Sequence, residues 1–159
     1  MIKIVDRPRE GGPVSVATGG PARPVLLATL AVRVDVQAER MALESALEAG
    51  VPLIIANMLR MPTYATTMML APQFATLPHE EDLEAVRASA ARAAALGIRT
   101  ELLRVSSPRP VKALLELVRD REVGLFVFGP DRSMVPARRY RAAARAVRRE
   151  ADCLVWVGE

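Results

Sequence analysis

Apolar residues in this chain fall into short unbroken runs separated by amphipathic stretches, and that alternation sets the expected architecture. Val25 to Thr29 (VLLAT), the LIIANM run after Pro52, Val123 to Phe128 and Cys153 to Val157 are each of strand length and nearly continuous in apolar character. Strands read this way when helices cover both faces of a parallel sheet. Ile98 to Val105 is a further strand, but Arg99, Glu101 and Arg104 interrupt it, which suits a sheet edge.

Helical periods lie between the strands. Asp35 stands at an N-cap position before a helix with Leu43, Ala46 and Leu47 on one face, Gln37, Arg40, Glu44 and Glu48 on another, and Gly50 as its stop. His79 to Leu96 is the second helix. Glu80, Glu81 and Asp82 occupy its first turn, where the macrodipole favours anions, Leu83, Val86, Ala90 and Ala93 form its apolar stripe, and Gly97 ends it. Ser107 and Pro108 open a third helix with an apolar face of Val111, Leu114, Leu115 and Val118. The fourth, from about Ala137 to Ala151, buries Tyr140, Ala144, Val147 and Ala151. The order β-α-β-α-β-α-β-α-β with short links predicts right-handed crossovers and a parallel sheet with helices on both faces.

Two stretches stand outside this scheme. Met1 to Pro24 carries two short alternating runs, Ile2 with Ile4 and Val14 with Val16, around Gly11 and Gly12, and reads either as a hairpin or as an arm that packs only against another molecule. The chain therefore divides into an arm over 1–24 and a domain over 25–159. Leu59 to Pro78 lacks any period and is longer than connections usually are; its methionines and Tyr64 cap the sheet edge or cover a pocket.

Composition narrows the function. At 159 residues, with 51% hydrophobic and 25% charged, the chain suits one soluble domain with a real core. The longest apolar run, Val51 to Leu59, is far short of the roughly 20 residues that span a bilayer. Asp6, Arg7, Arg9 and Glu10 stand where a signal peptide would be apolar, so export is not indicated, and the single cysteine, Cys153, fits a reducing cytoplasm.

Candidate catalytic chemistry is sparse. His79 is the only histidine, beside an acidic helix start, so neither a nucleophile triad nor a histidine metal cluster is expected. Cys153 opens an apolar strand and reads as a packed thiol. The chain reads as a non-enzyme without a metal. The positive signal is the turn after Phe128: Gly129, Pro130, Asp131, Arg132 and Ser133 lead from a strand end toward a helix carrying Arg138 and Arg139, an arrangement that can offer backbone amides and a helix N-terminus to an anion. Along that helix Arg138, Arg141, Arg145 and Arg148 recur at three, four and three residues and form a basic ridge. A solvated face is the simplest account of it, and nucleic acid ranks last among partners because interleaved aromatics are lacking.

The run GIRTELLRVSSPRPVKALLELVRDREVGLFVFG, followed by a helix and ADCLVWV, resembles the universal stress protein family, as does the element order from Val25 to Val157. That resemblance implies a flavodoxin-like (Rossmann-like) α/β sandwich, five parallel strands in the order 3-2-1-4-5, and a homodimer formed through the last strand at Leu154, Val155, Trp156 and Val157. The nucleotide-binding members of the family have an aspartate ending the first strand and a Gly-x2-Gly-x9-Gly-Ser/Thr pattern after the fourth. This chain has Leu30 at the first position, keeps Gly129, and has Arg132, Ala142 and Ala143 at the remaining positions. The resemblance thus implies a cytoplasmic stress-response binding or regulatory module that takes neither ATP nor AMP in the family's way. The alternative is a nucleotide or phosphate sensor in which Arg132, Arg138 and Arg139, with Gly129 and Ser133 beside Leu30, replace the glycine cradle.

Overall fold

The computed structural model describes residues 3–6 as backbone, and residues 22–60 and 79–158 in full. Its elements are β1 (Lys3–Asp6), β2 (Val25–Thr29), α1 (Val36–Ala49), β3 (Leu53–Arg60), α2 (Glu80–Ala95), β4 (Thr100–Ser107), α3 (Pro110–Asp120), β5 (Leu125–Phe128), α4 (Ala137–Glu150) and β6 (Leu154–Val157). One sheet runs β1-β4-β3-β2-β5-β6. The five strands from β2 onward are parallel and stand in the expected 3-2-1-4-5 order.

β1 adds a sixth strand, antiparallel to β4, with Lys3 opposite Val105 and Asp6 opposite Leu102. β4 is therefore not the sheet edge that its charges predict. Those charges have another outlet: Glu101 receives two parallel hydrogen bonds from Arg121, just past α3, at 2.8 and 2.9 Å. The expected turn around Gly11 and Gly12, and the connection from Met61 to Pro78, lie outside the described residues.

Strand alternation divides the core into two layers. Leu26, Ala28, Ile54, Met58, Leu103, Phe126 and Phe128 face α3 and α4, whereas Val25, Leu27, Leu53, Ile55 and Val127 face α1 and α2. The helices meet the sheet differently on the two sides. α1 buries Ala38, Ala42 and Ala46, and leaves the expected core residue Leu47 exposed and Leu43 only half-buried. An alanine stripe lets a helix lie close to the sheet, and α1 uses it. α4 instead buries Tyr140, Ala143, Ala144 and Val147, with Phe128 and Tyr140 5.7 Å apart between ring centres.

The anticipated ends of α1 are present, whereas α3 starts at Pro110 after the N-cap Arg109, with the expected opener Ser107 still in β4. Asp35 caps α1 by accepting from the Gln37 and Ala38 amides, and Gly50 leaves it in the left-handed region at φ 63°. α1 and α2 are tied together by Glu39, which accepts from Arg92 Nε at 2.5 Å, Arg92 Nη2 at 2.8 Å and Ser89 Oγ at 2.8 Å. The bond from Arg92 holds the Glu39 carboxyl below its ordinary value, against the opposing pull of burial. A depressed folded-state pKa stabilises the fold above the unfolded value, near 4.5, and that contribution is lost as pH falls through the folded value. The urea midpoint should therefore drop as pH is lowered below about 4.5. A Glu39→Gln variant should be less stable at neutral pH and show a smaller acid-dependent loss.

Candidate functional site

The carboxyl ends of β2 and β5 are the place where a parallel α/β sheet opens a crevice, because the chain leaves these neighbouring strands toward helices on opposite faces. The loop after β2 turns sharply. Ala31 takes the left-handed conformation at φ 58°, which costs a residue with a Cβ about 1 kcal/mol or more. Polar side chains hold it there. Asn57 Oδ1 accepts from the Ala31 amide at 3.1 Å, Thr29 Oγ1 donates to the Val32 carbonyl at 2.6 Å, and Asp82 Oδ1 accepts from the Arg33 amide at 3.1 Å and from Arg33 Nε at 3.3 Å. Asp82 is 2% exposed. Its sequence position suggests only a favourable charge for the α2 dipole; its structural work is to anchor the β2 loop.

The loop after β5 closes against the β2 loop. The Gly129 amide donates to the Ala28 carbonyl and the Gly129 carbonyl accepts from the Asp35 amide, both at 2.9 Å. The Asp131 amide donates to the Arg33 carbonyl at 3.0 Å. Asp131 Oδ1 accepts from the Ser133 amide at 3.0 Å and its hydroxyl at 2.7 Å, and the Asp131 carbonyl accepts from the Met134 amide. The amides of Gly129, Asp131, Ser133 and Met134 are thus all engaged within the protein. An anion cradle needs such amides free and pointing outward.

Gly129 has a second constraint. A Cβ there would stand 2.1 Å from the Ala38 Cβ, so glycine is required for α1 to rest on the end of β5. The residue serves packing, whatever else it does.

The structure separates the predicted site residues. Leu30 is buried in the α3/α4 core layer rather than facing the crevice. Arg132 lays its guanidinium over the Tyr140 ring, 4.9 Å from the centroid. Ser133 is consumed by Asp131. Arg138 is exposed on α4. Arg139 is half-buried, and burial, followed by the nearby charge of Arg60, lowers its pKa. Arg60 ends β3, and its role was not visible in the sequence. Among the described residues neither guanidinium has a carboxylate within ion-pair distance. Ala142 and Ala143 lie within α4, so the family's nine-residue spacing does not reach a loop position here.

Between these loops and β6 lies a cleft of about 230 Å³, lined by Asp35, Gln37, Gly129, Arg132, Tyr140 and Trp156 among others. Ligand pockets for small organic molecules are usually about 300 to 1,000 Å³, so the cleft is small for a nucleotide. A larger groove of about 320 Å³ lies between α3 and α4, lined by Val111, Lys112, Leu115, Glu116 and Arg119, away from the strand ends.

His79 is the N-cap residue of α2 and makes no side-chain capping bond. The Cys153 thiol is half-buried, and burial pushes its pKa up. Among the described residues no group of three or more potential metal ligands is present, and no helix is long and apolar enough to cross a membrane.

No family model matches the sequence, and no curated protein does. The fold is that of solved universal stress proteins. UspA from Lactobacillus plantarum superposes with a TM-score of 0.67 at 13% identity, over 89% of this chain and 100% of that one. A universal stress protein in complex with cAMP gives 0.61 at 21% identity, over 86% and 97%. The Archaeoglobus fulgidus protein in complex with dAMP gives 0.54 at 18%, over 85% and 96%.

One consequence of the Gly129 contact is directly measurable. Gly129→Ala should cost about 1 to 3 kcal/mol or more, because the new methyl overpacks against α1, read as a lowered urea midpoint.

Proposed function

We propose that this chain is a stress-response binding or regulatory module of the universal stress protein type, homodimeric, cytoplasmic and not an enzyme, that does not take ATP or AMP in the manner of the nucleotide-binding members. Residues 25–159 form the functional domain and residues 1–24 an accessory arm. One observation carries this reading: four amides of the loop after β5, those of Gly129, Asp131, Ser133 and Met134, are engaged by the protein itself, at Ala28, Arg33 and Asp131. The small cleft and the leucine in place of the family's aspartate point the same way.

Dimerisation through β6 is supported by the strand's position and chemistry. It is the terminal strand beyond β5, and Leu154 is 75% exposed at its start. An unpaired row of backbone donors and acceptors is a ready template for a second strand.

A second reading rests on Arg139. A half-buried guanidinium near the charge of Arg60, with no carboxylate partner among the described residues, is relieved by an anion. In that reading Arg60 and Arg139 grip phosphate with their side chains, and Arg132 assists only by leaving the Tyr140 ring. The cAMP and dAMP complexes of fold neighbours keep such a ligand in view.

Native mass spectrometry with and without ATP and AMP separates the two. The expected result is an empty dimer. One nucleotide per subunit, lost in Arg139→Ala, would overturn the leading reading in favour of the second. In the same experiment Leu154→Asp should shift the protein to monomer with the fold retained by circular dichroism, because the side chain is 75% exposed in the single subunit.

A further inference from the structure

Charge in this molecule is sorted by layer. α1 and α2, on one face of the sheet, hold seven carboxylates against three arginines, a net −4. α3 is neutral, with Lys112 and Arg119 against Glu116 and Asp120. α4, on the opposite face, holds six arginines against Glu150, a net +5. The sheet and both helix layers separate these charges by more than the Debye length of about 8 Å at physiological salt, so the acidic layer does little to neutralise the basic one.

Within α4 the arginines are also unpaired. Arg138, Arg141, Arg145 and Arg148 are exposed, and none has a carboxylate within ion-pair distance among the described residues; Arg149 alone pairs, with Glu150 at 2.7 Å. The ridge spans about 15 Å at 1.5 Å per residue. Four adjacent like charges repel one another, and the helix keeps them where an acidic residue at an intervening position would have relieved the cost.

We infer that this ridge docks the phosphate backbone of duplex nucleic acid. Duplex DNA presents about one negative charge per 1.7 Å of axis, so about 15 Å of ridge meets enough phosphates for all four guanidiniums. Arginine without lysine suits phosphate oxygens, which it can hold through two parallel N–H groups. The other polyanions fit less well. A protein interface would need an apolar or aromatic centre, and the exposed residue between these arginines is Ala142. A membrane surface would need large apolar side chains beside the charges. A single strand would need exposed aromatics to stack its bases. The acidic α1/α2 layer turns the molecule so that only the α4 face approaches a polyanion. This ranks nucleic acid above its place in the sequence reading, because the unpaired ridge and the sorted layers are visible only in the fold.

The test is fluorescence anisotropy of a short labelled DNA duplex titrated with the full chain at several salt concentrations. The expected result is binding whose log–log salt slope is about −3 to −4, a loss on the order of 100-fold between about 50 and 200 mM salt. Replacing Arg141, Arg145 and Arg148 together by alanine should reduce the slope to about −1, with an unchanged circular dichroism spectrum and melting temperature. The corresponding triple lysine variant should keep the wild-type slope, since the charge remains. The inference is overturned by absence of binding at the lowest salt, by a wild-type slope in the triple alanine variant, or by poly-glutamate binding as tightly as the duplex, which would assign the ridge to an acidic protein. Arg132 and Arg139 are untouched in these variants, so the outcome is independent of any nucleotide at the crevice.

Discussion

The architecture around the crevice depends on the absence of one side chain. Gly129 has only a hydrogen where any other residue would drive a Cβ to within 2.1 Å of Ala38. That clearance lets α1 settle on its alanine stripe at the end of β5. It brings the Asp35 amide onto the Gly129 carbonyl and leaves the Asp35 carboxylate free to cap α1. The β2 and β5 loops then meet along a backbone seam extended by Arg33 with Asp131 and by the bridge between Val34 and Pro130. Cohesion and ligand capacity compete at this seam, since an amide committed to a neighbouring carbonyl is withdrawn from any guest.

The two sides of the sheet solve the packing problem with different materials. The α1/α2 side uses alanines, close approach and a cross-helix carboxylate bridge at Glu39. The α3/α4 side uses Phe126, Phe128 and Tyr140, which fill the volume with rings, Phe126 and Phe128 edge to face at 6.3 Å. With carboxylates assigned to one side and guanidiniums to the other, the fold acquires a polarity across the sheet that no single element displays.

The parallel scaffold was legible in the sequence because its strands are continuous apolar runs and its helices carry explicit ends, Asp35 and Gly50 being the clearest. The choice of buried face on α1 was not, because leucine outranks alanine in any hydrophobic reading; only the proximity imposed by Gly129 favours Ala38, Ala42 and Ala46. β1 was seen as a strand-like run but not as a member of the sheet, since a four-residue antiparallel pairing is decided by its partner. The candidate site was less legible than the scaffold. Gly129 stands at the turn where the β5 loop meets the β2 loop, yet its amide is spent on Ala28, and Ser133 is spent on Asp131. Asp82 and Arg60, distant in sequence from that turn, reach the crevice region only through the crossovers. A carboxylate in the first turn of a helix carries no signal that it will be buried against a loop about fifty residues earlier.

The described sheet ends on both sides in strands of only four residues, while β3 and β4 inside it are eight residues long. Length at an edge governs how well a foreign chain can add to it, because each further residue supplies backbone groups for pairing. Without β1 the sheet would terminate in β4 and present twice the templating length to any unfolded neighbour. β1 thus replaces a long edge by a short one and leaves fewer backbone groups exposed for a foreign strand to pair with.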